Sequence, residues 1–228
     1  MKLIRFERQI LKTKMKNKNK KITQADKSLQ ELKRPLSIED LFSRIDKIYF
    51  DGISLKKTAL KNYSGKALVS IAQNIVSFCG EEIFMKNDEY FDFHDDEDNI
   101  SGEQERLDIS ARINNQIKIL IECRAWMDKP FLLLKMMVIL RLLYGKCVPK
   151  DTLFIIICYS ADYNKFIFQS CMKMLEVFLG YPLKIEIIPL SNKRRPDAKK
   201  FPDQNWFTNG YEKDSISQII SLIKKGIL

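Results

Sequence analysis

The sequence predicts an α/β domain, a central mixed sheet flanked by helices, preceded by a basic N-terminal extension. Three observations carry this prediction. Five segments repeat apolar residues at helical spacing, apolar runs typical of strands lie between them, and 228 residues suffice for one large domain. From the second helix onward the predicted order is helix, hairpin, helix, strand, helix, strand and helix, which is typical of one sheet covered on both faces.

The positive charge is concentrated at the N-terminus. Residues 1–34 hold twelve basic side chains against three acidic ones, whereas residues 35–228 hold 27 against 26. We therefore predict two parts, a basic extension over 1–34 and a single α/β domain over 35–228. The extension is either an arm that binds nucleic-acid phosphates or a solubilising tail.

Two helices are predicted to open the domain. Ser37 is a suitable N-cap for a helix whose apolar residues recur from Ile38 to Ile48. A second helix is predicted from about Ser64 to Cys79, with Gly80 as its stop. The acidic stretch 88–98 that follows is interpreted as a loop or a ragged edge strand around Tyr90–Phe93.

A β-hairpin is predicted next, because Leu107–Ile113 and Ile117–Arg124 both alternate apolar and polar residues. The turn-forming residues Asn114, Asn115 and Gln116 lie between the two runs.

The rest of the chain alternates helices and strands. A helix over 129–144 is apolar on nearly every side, which indicates core burial, with a subunit contact as the alternative. Strands are predicted over 153–158 and 183–188, and helices over 166–179 and 215–225, the last with Asp214 as its cap.

Several classes of function are disfavoured by what the sequence lacks. No apolar run is long enough to span a membrane, and the N-terminus does not resemble a signal peptide. Five scattered cysteines without a CxxC pair indicate reduced thiols in a cytoplasmic protein and argue against a zinc ribbon. The single histidine, His94, lies in an acidic loop-like stretch. No glycine-rich phosphate loop occurs, so no nucleotide cofactor is expected.

Two acidic residues are predicted to face each other across the hairpin. If the turn centres on Asn115, antiparallel pairing places Asp108 opposite Glu122, with Arg124 on the same face. Opposed carboxylates repel each other, and a divalent cation relieves that repulsion. A surface ladder of ion pairs is the alternative interpretation.

At these residues the sequence resembles the PD-(D/E)xK nuclease superfamily, the fold of most type II restriction endonucleases and of several repair nucleases. The family pattern is an acidic residue on one strand followed by acidic-x-Lys on the next. Here it reads Asp108, then Glu122-Cys123-Arg124. The resemblance implies a restriction-endonuclease-like core from about Ser64 to Ile188, with Asp108, Glu122 and the Cys123 carbonyl as Mg²⁺ ligands. It implies that Asp108, Glu122 and Arg124 are the catalytic residues.

Three departures from the family pattern stand out. Arg124 replaces the lysine, and an arginine stays protonated and cannot act as a base; Lys118 and Lys129 are the alternative sources of an amine. Leu107 replaces the proline that precedes the first acid. The helix over 64–79 contains no glutamate.

The resemblance implies a Mg²⁺-dependent, sequence-specific endonuclease of double-stranded DNA, a type II restriction enzyme that acts as a homodimer beside a cognate DNA methyltransferase. Base contacts are expected from the loop over 191–211, whose arginine and asparagine side chains suit guanine and adenine. The candidate DNA-binding residues are Lys193, Arg194, Arg195, Asn205 and Asn209.

Three alternatives stay open. The first is a structure-specific nuclease of repair, recombination or transposition with the same fold. The second is a nuclease-derived DNA-binding module without activity, because arginine replaces the expected lysine. The third is a regulator that binds proteins through the acidic segment.

Overall fold

A computed structural model of the protein describes residues 34–50, 60–92, 104–191 and 210–227. The chain divides into the units Met1–Arg34 and Pro35–Leu228, and every helix and strand named here belongs to the second. The described helices are α1 (Ile38–Tyr49), α2 (Leu60–Cys79), α3 (Lys129–Tyr144), α4 (Lys165–Leu179) and α5 (Lys213–Ile227). The described strands are β1 (Phe84–Asp92), β2 (Gln104–Ile113), β3 (Gln116–Asp128), β4 (Leu153–Asp162) and β5 (Ile185–Pro189).

The five strands form one mixed sheet in the order β1-β2-β3-β4-β5. The first three pair antiparallel as a meander, and β4 and β5 add in parallel beyond β3. Helices α3 and α4 make the two connections that parallel pairing requires. The prediction of an α/β fold with a mixed sheet between helices is confirmed.

Helices cover both faces of the sheet. Alternate residues of β4 enter different cores: Ile155 and Ile157 pack in the cluster that includes α1, α2 and α5, whereas Phe154 and Ile156 pack towards α3 and α4. This explains why β4 has a continuous apolar sequence, since both of its faces are buried.

The ends of the helices follow from local hydrogen bonds. The Ser37 side chain accepts the Asp40 N–H at the start of α1, and Asp128 accepts the Phe131 N–H at the start of α3. Gly180 ends α4 with φ of 76°, a left-handed conformation that a residue without Cβ adopts at little cost.

The hairpin prediction is confirmed, but its turn is tighter than expected. Asn114 and Asn115 have φ of 50° and 64°, and Ile113 pairs with Gln116, as in a two-residue type I′ turn. Lys118 is an extra residue in β3, because Arg112 pairs with Ile117 and Ala111 with Ile119. This bulge restores the register expected for a turn centred on Asn115.

Several element boundaries differ from the predictions, and β2, β3 and β4 extend to Gln104, Asp128 and Asp162. Helix α2 begins at Leu60 rather than near Ser64, and β5 begins at Ile185 rather than Leu183. Helix α5 begins at Lys213, so Asp214 lies inside its first turn and is not its cap. Strand β1 is an edge strand of nine residues, in which Asp88 has a φ of 49°. Of the loop and the ragged edge strand predicted for this acidic stretch, the structure shows the strand as far as Asp92, with Glu89 paired to Arg112.

Helix α3 matches its predicted bounds and has two different sides. Its inner side is buried, as the core interpretation expected, whereas Leu133, Leu134, Met137 and Tyr144 are exposed. Among the helices of the described residues, none has the length and apolar character needed to span a membrane.

Candidate active site

The candidate site lies where strands β2 and β3 separate. Regular pairing places Ala111 opposite Ile119 and Ile109 opposite Ile121, which is the register that the sequence predicted. Just beyond the last of these pairs, the Asp108 Oδ2 atom accepts the Cys123 N–H at 2.8 Å. The Asp108 side chain therefore takes the place of a backbone partner for β3 and is held beside Glu122.

The alternation of side chains in β2 breaks at Asp108. Leu107 packs in the same cluster as Leu120, on the side of α3, whereas Ile109 packs on the side of α2. Strict alternation along β2 predicts that Asp108 shares a face with Ser110 and Arg112, and the structure shows that this alternation does not hold at Asp108. The irregularity does not separate Asp108 from Glu122, because both side chains line one cavity.

That cavity has a volume of about 890 Å³ and is open to solvent. Its walls come from α2 (Gly65, Lys66, Val69, Ser70), β1 (Asp88), β2 (Gln104, Glu105, Arg106, Asp108), β3 (Glu122, Cys123, Arg124) and α3 (Lys135). Four of these residues are acidic and four are basic. The sheet thus supplies the carboxylates, and helices from both layers complete the walls.

Lys135 is the residue that the sequence analysis missed. It is only 6% exposed, and its Nζ lies 3.1 Å from Glu122 Oε1 and donates to Glu105 Oε1 at 2.9 Å. The signal was present in the sequence, because Lys135 interrupts the apolar run between Phe131 and Leu140 of a helix that faces the sheet. A buried lysine normally has an acidic partner, and the nearby strands carry several acids.

Glu122 holds its proton more tightly than an ordinary glutamate. It is 8% exposed, and burial together with the nearby charge of Asp108 raises its pKa to about 7 despite the opposing effect of Lys135. Burial also raises the pKa of Asp108, although the hydrogen bond from the Cys123 N–H partly offsets this rise. Two carboxylates with raised pKa values in one cavity lack sufficient positive charge around them.

Arg124 lies at the rim of the cavity. Its Nε is 3.8 Å from Glu122 Oε1, and its guanidinium stacks on the Phe131 ring with its carbon 4.2 Å from the ring centre. On the other side, Arg106 lies 3.2 Å from Asp88 and 3.8 Å from Asp108. Both arginines are half exposed, so they can meet an anionic ligand that enters the cavity.

The two lysines proposed as sources of an amine do not line this cavity. The Lys118 Nζ lies 3.2 Å from Asp151, and Lys129 lies at the start of α3, beside a different crevice. Lys118 is the extra residue of the bulge, which explains why strand periodicity misplaced it. Lys135 does line the cavity beside Glu122, and the role of an amine at this site stays a prediction.

A second buried carboxylate lies on the same sheet. Glu89 of β1 accepts hydrogen bonds from the Ser110 hydroxyl and the Arg112 guanidinium, and Lys86 lies 3.3 Å away. Burial alone raises the pKa of Glu89, but the hydrogen bonds from Arg112 and Ser110 outweigh it and leave the pKa below its usual value.

The donor set at Asp108 and Glu122 fits a hard divalent cation. Within the described residues, no group of three or more histidine, cysteine or acidic side chains is close enough to hold a metal ion. Mg²⁺ does not require one, since it is commonly bound through one or two carboxylates and several waters. The Cys123 thiol is buried and its pKa is raised by burial, so only the backbone of Cys123 fits this role.

The remaining predicted residues lie outside the described part of the chain. This holds for all five candidate DNA-binding residues, for His94 and for the basic extension up to residue 33. The roles proposed for them stay predictions.

Comparison of the sequence with protein-family models and with curated proteins finds no match to either.

Proposed function

We propose that the protein is a Mg²⁺-dependent endonuclease that hydrolyses phosphodiester bonds of double-stranded DNA. One observation carries this proposal. Asp108 and Glu122, on adjacent antiparallel strands, line a single solvent-open cavity together with the buried amine of Lys135. A carboxylate pair, an amine and exposed arginines are the groups that phosphodiester hydrolysis uses.

The metal would be held by Asp108, Glu122 and the Cys123 carbonyl. The raised pKa values of the two carboxyl groups support this assignment, because a divalent cation supplies the charge that the protein itself does not. When bound there, Mg²⁺ supplies charge neutralisation to the phosphate and lowers the pKa of coordinated water.

Lys135 provides the lysine that the family-like pattern lacks at position 124. The family-like pattern has arginine at the lysine position, and a guanidinium can stabilise charge but cannot give up a proton. The Lys135 ammonium approaches Glu122 to 3.1 Å from α3 and can donate a hydrogen bond that orients the attacking water. Arg124, stacked on Phe131, then stabilises the negative charge of the phosphate.

The order of elements also supports the proposal. Helix α2, the meander β1-β2-β3, helix α3 and strand β4 follow one another as the resemblance implies. The twelve basic side chains of residues 1–34 would add attraction to DNA phosphates that does not depend on sequence.

The test is incubation of the purified protein with supercoiled plasmid DNA, with Mg²⁺ and with a chelator. Discrete, reproducible fragments in Mg²⁺ support a site-specific restriction enzyme. Cleavage of branched or nicked DNA alone supports the structure-specific nuclease. DNA binding without cleavage, in Mg²⁺ or in Mn²⁺, would contradict the proposed activity and leave the inactive DNA-binding module.

A further inference from the structure

The outer surface of helices α3 and α4 is unusually apolar. From Phe131 to Tyr144 every exposed position of α3 carries an apolar side chain, with Leu134 and Met137 more than half exposed. Helix α4 adds five exposed large apolar residues, among which Val177 is 85% exposed, and it buries no residue fully. An ordinary surface helix shows the opposite pattern, with polar residues outward.

Two contacts connect the exposed apolar side chains of the two helices, whose common surface we name the α3/α4 face. Near one end, Tyr144 and Phe178 pack with their ring centres 5.9 Å apart. Near the other end, Leu133 of α3 and Ile167 of α4 line the same narrow crevice. The two helices therefore present their exposed apolar residues side by side.

The area of this face exceeds what a monomer normally exposes. Nine large apolar side chains, four on α3 and five on α4, are exposed. Together they offer on the order of 1,000 Å², whereas the largest apolar patch of a typical monomer is roughly 300–600 Å². A standard interface buries about 800 Å² on each partner, so the face is large enough for a stable dimer.

We propose that the α3/α4 face binds the same face of a second copy of this chain. A pair of helices that packs on its own symmetry mate forms a self-complementary, two-fold contact, the commonest arrangement of soluble oligomers. The proposal rests on the exposed area and is independent of the nuclease activity.

The alternative occupant within the chain is its own N-terminal segment. The first eleven residues contain five large apolar side chains after Met1, namely Leu3, Ile4, Phe6, Ile10 and Leu11. Presented on one helix face, they would cover only part of a surface built from nine exposed side chains on two helices. The area therefore favours a second copy.

The experiment is sedimentation velocity of the full-length protein from low to high micromolar concentration. We expect a dimer for the wild type and a monomer for Met174→Glu/Val177→Glu. The expected loss of affinity is about 100-fold or more, because each dimer would bury four uncompensated carboxylates. Both side chains are exposed, so the variant should keep the wild-type circular dichroism, whereas its Tm falls only by the loss of the subunit contact.

The matched control is Leu36→Glu, which places the same charge at a residue that is 91% exposed on a different part of the surface. It should remain dimeric. A second control, Ile4→Glu/Phe6→Glu, tests the N-terminal segment and should also remain dimeric. A monomeric wild type, a dimeric Met174→Glu/Val177→Glu variant, or dissociation of either control would each overturn the proposal.

Discussion

Glu89 and Glu122 are both almost fully buried in the same sheet, two strands apart, yet their surroundings differ in kind. Glu89 is surrounded by donors, with a guanidinium, a hydroxyl and an ammonium group directed at it, and its pKa is lowered. Glu122 shares its one close ammonium partner with Glu105 and lies near a second carboxylate, and its pKa is raised to about 7.

We interpret the difference as that between a carboxylate that stabilises the fold and one that the proposed function uses. Glu89 is stabilised in its charged form by groups already present. Glu122 and Asp108 keep a deficit of positive charge that costs stability, and such deficits concentrate where a ligand supplies the missing charge. The same buried residue type thus serves two roles, and five experiments test that division.

The largest effect is expected on DNA cleavage. Glu122→Gln and Asp108→Asn should each lower cleavage by about 1,000-fold or more, because each removes a charge needed for the metal. Glu89→Gln is the matched control, since it makes the same change at another buried glutamate, and it should cleave at nearly the wild-type rate. Rates are compared under identical Mg²⁺ concentrations. Equal loss in the control would erase the distinction between the two sites.

Removal of the Lys135 amine should have the next largest effect. Lys135→Met should lower cleavage by about 100-fold, as expected for loss of a group that orients the attacking water. Lys118→Met is the control, because Lys118 pairs with Asp151 outside the cavity, and it should cut normally. We expect the pH–rate profile of cleavage to change in this variant as well, whereas loss of a lysine that only stabilises the fold would leave that profile unchanged. An unchanged rate in Lys135→Met would exclude Lys135 from the chemistry.

For the stability of the fold we expect the reverse order, with a larger loss from changing Glu89 than from changing Glu122. Glu89→Gln should lower the free energy of unfolding by about 2–3 kcal/mol, because Arg112 is left without its charge partner while the Ser110 contact can persist. Urea unfolding measures this change. A loss as large in Glu122→Gln would mean that both carboxylates are structural.

Arg124 should contribute less than Lys135. Arg124→Ala should lower cleavage by about 10-fold, because a half-exposed guanidinium is partly screened by water. Arg124→Lys sharpens the result: retained activity indicates that a positive charge suffices, whereas a loss equal to that of alanine indicates a need for the guanidinium geometry.

The smallest effect is on the pH dependence of stability without metal. The pKa of Glu122 is about 7 in the folded protein, against 4.5 for an ordinary glutamate. Between these values the folded state keeps a proton that the unfolded state has released, so stability falls as pH rises towards 7. Glu122→Gln removes this contribution, and its Tm should fall less from pH 5 to pH 8, by about 3 °C. Parallel pH curves for the two proteins would contradict the raised pKa.

Much of the fold was predictable because its signals are local. The hairpin, helix α3 and the buried strand β4 follow from periodicity, capping residues and β-branched runs. The register of Ile109 with Ile121, next to the two acids, is also the predicted one, although the bulge at Lys118 is needed to reach it. Strand β1 was harder to recognise, because the reason for its acidic residues is a tertiary contact between Glu89 and Arg112.

The site was predictable only in part, for the same reason. Asp108 and Glu122 are neighbours through strand pairing, which a sequence pattern can express. Lys135 reaches them from the following helix, and its approach depends on how α3 packs against the sheet. Strict alternation along β3 predicts that Lys118 lies on the same face as Glu122, but the bulge at Lys118 interrupts that alternation.

That bulge has a practical consequence for the hairpin. The bulge at Lys118 lies between the Asn114–Asn115 tip and the residue pairs next to Asp108 and Glu122. An insertion at the tip can therefore be accommodated at the bulge without shifting those pairs. The tip is exposed, its two asparagines already occupy left-handed conformations, and it lies at the opposite end of the hairpin from Asp108. It is therefore a suitable point for inserting a short reporter peptide without displacing the carboxylates.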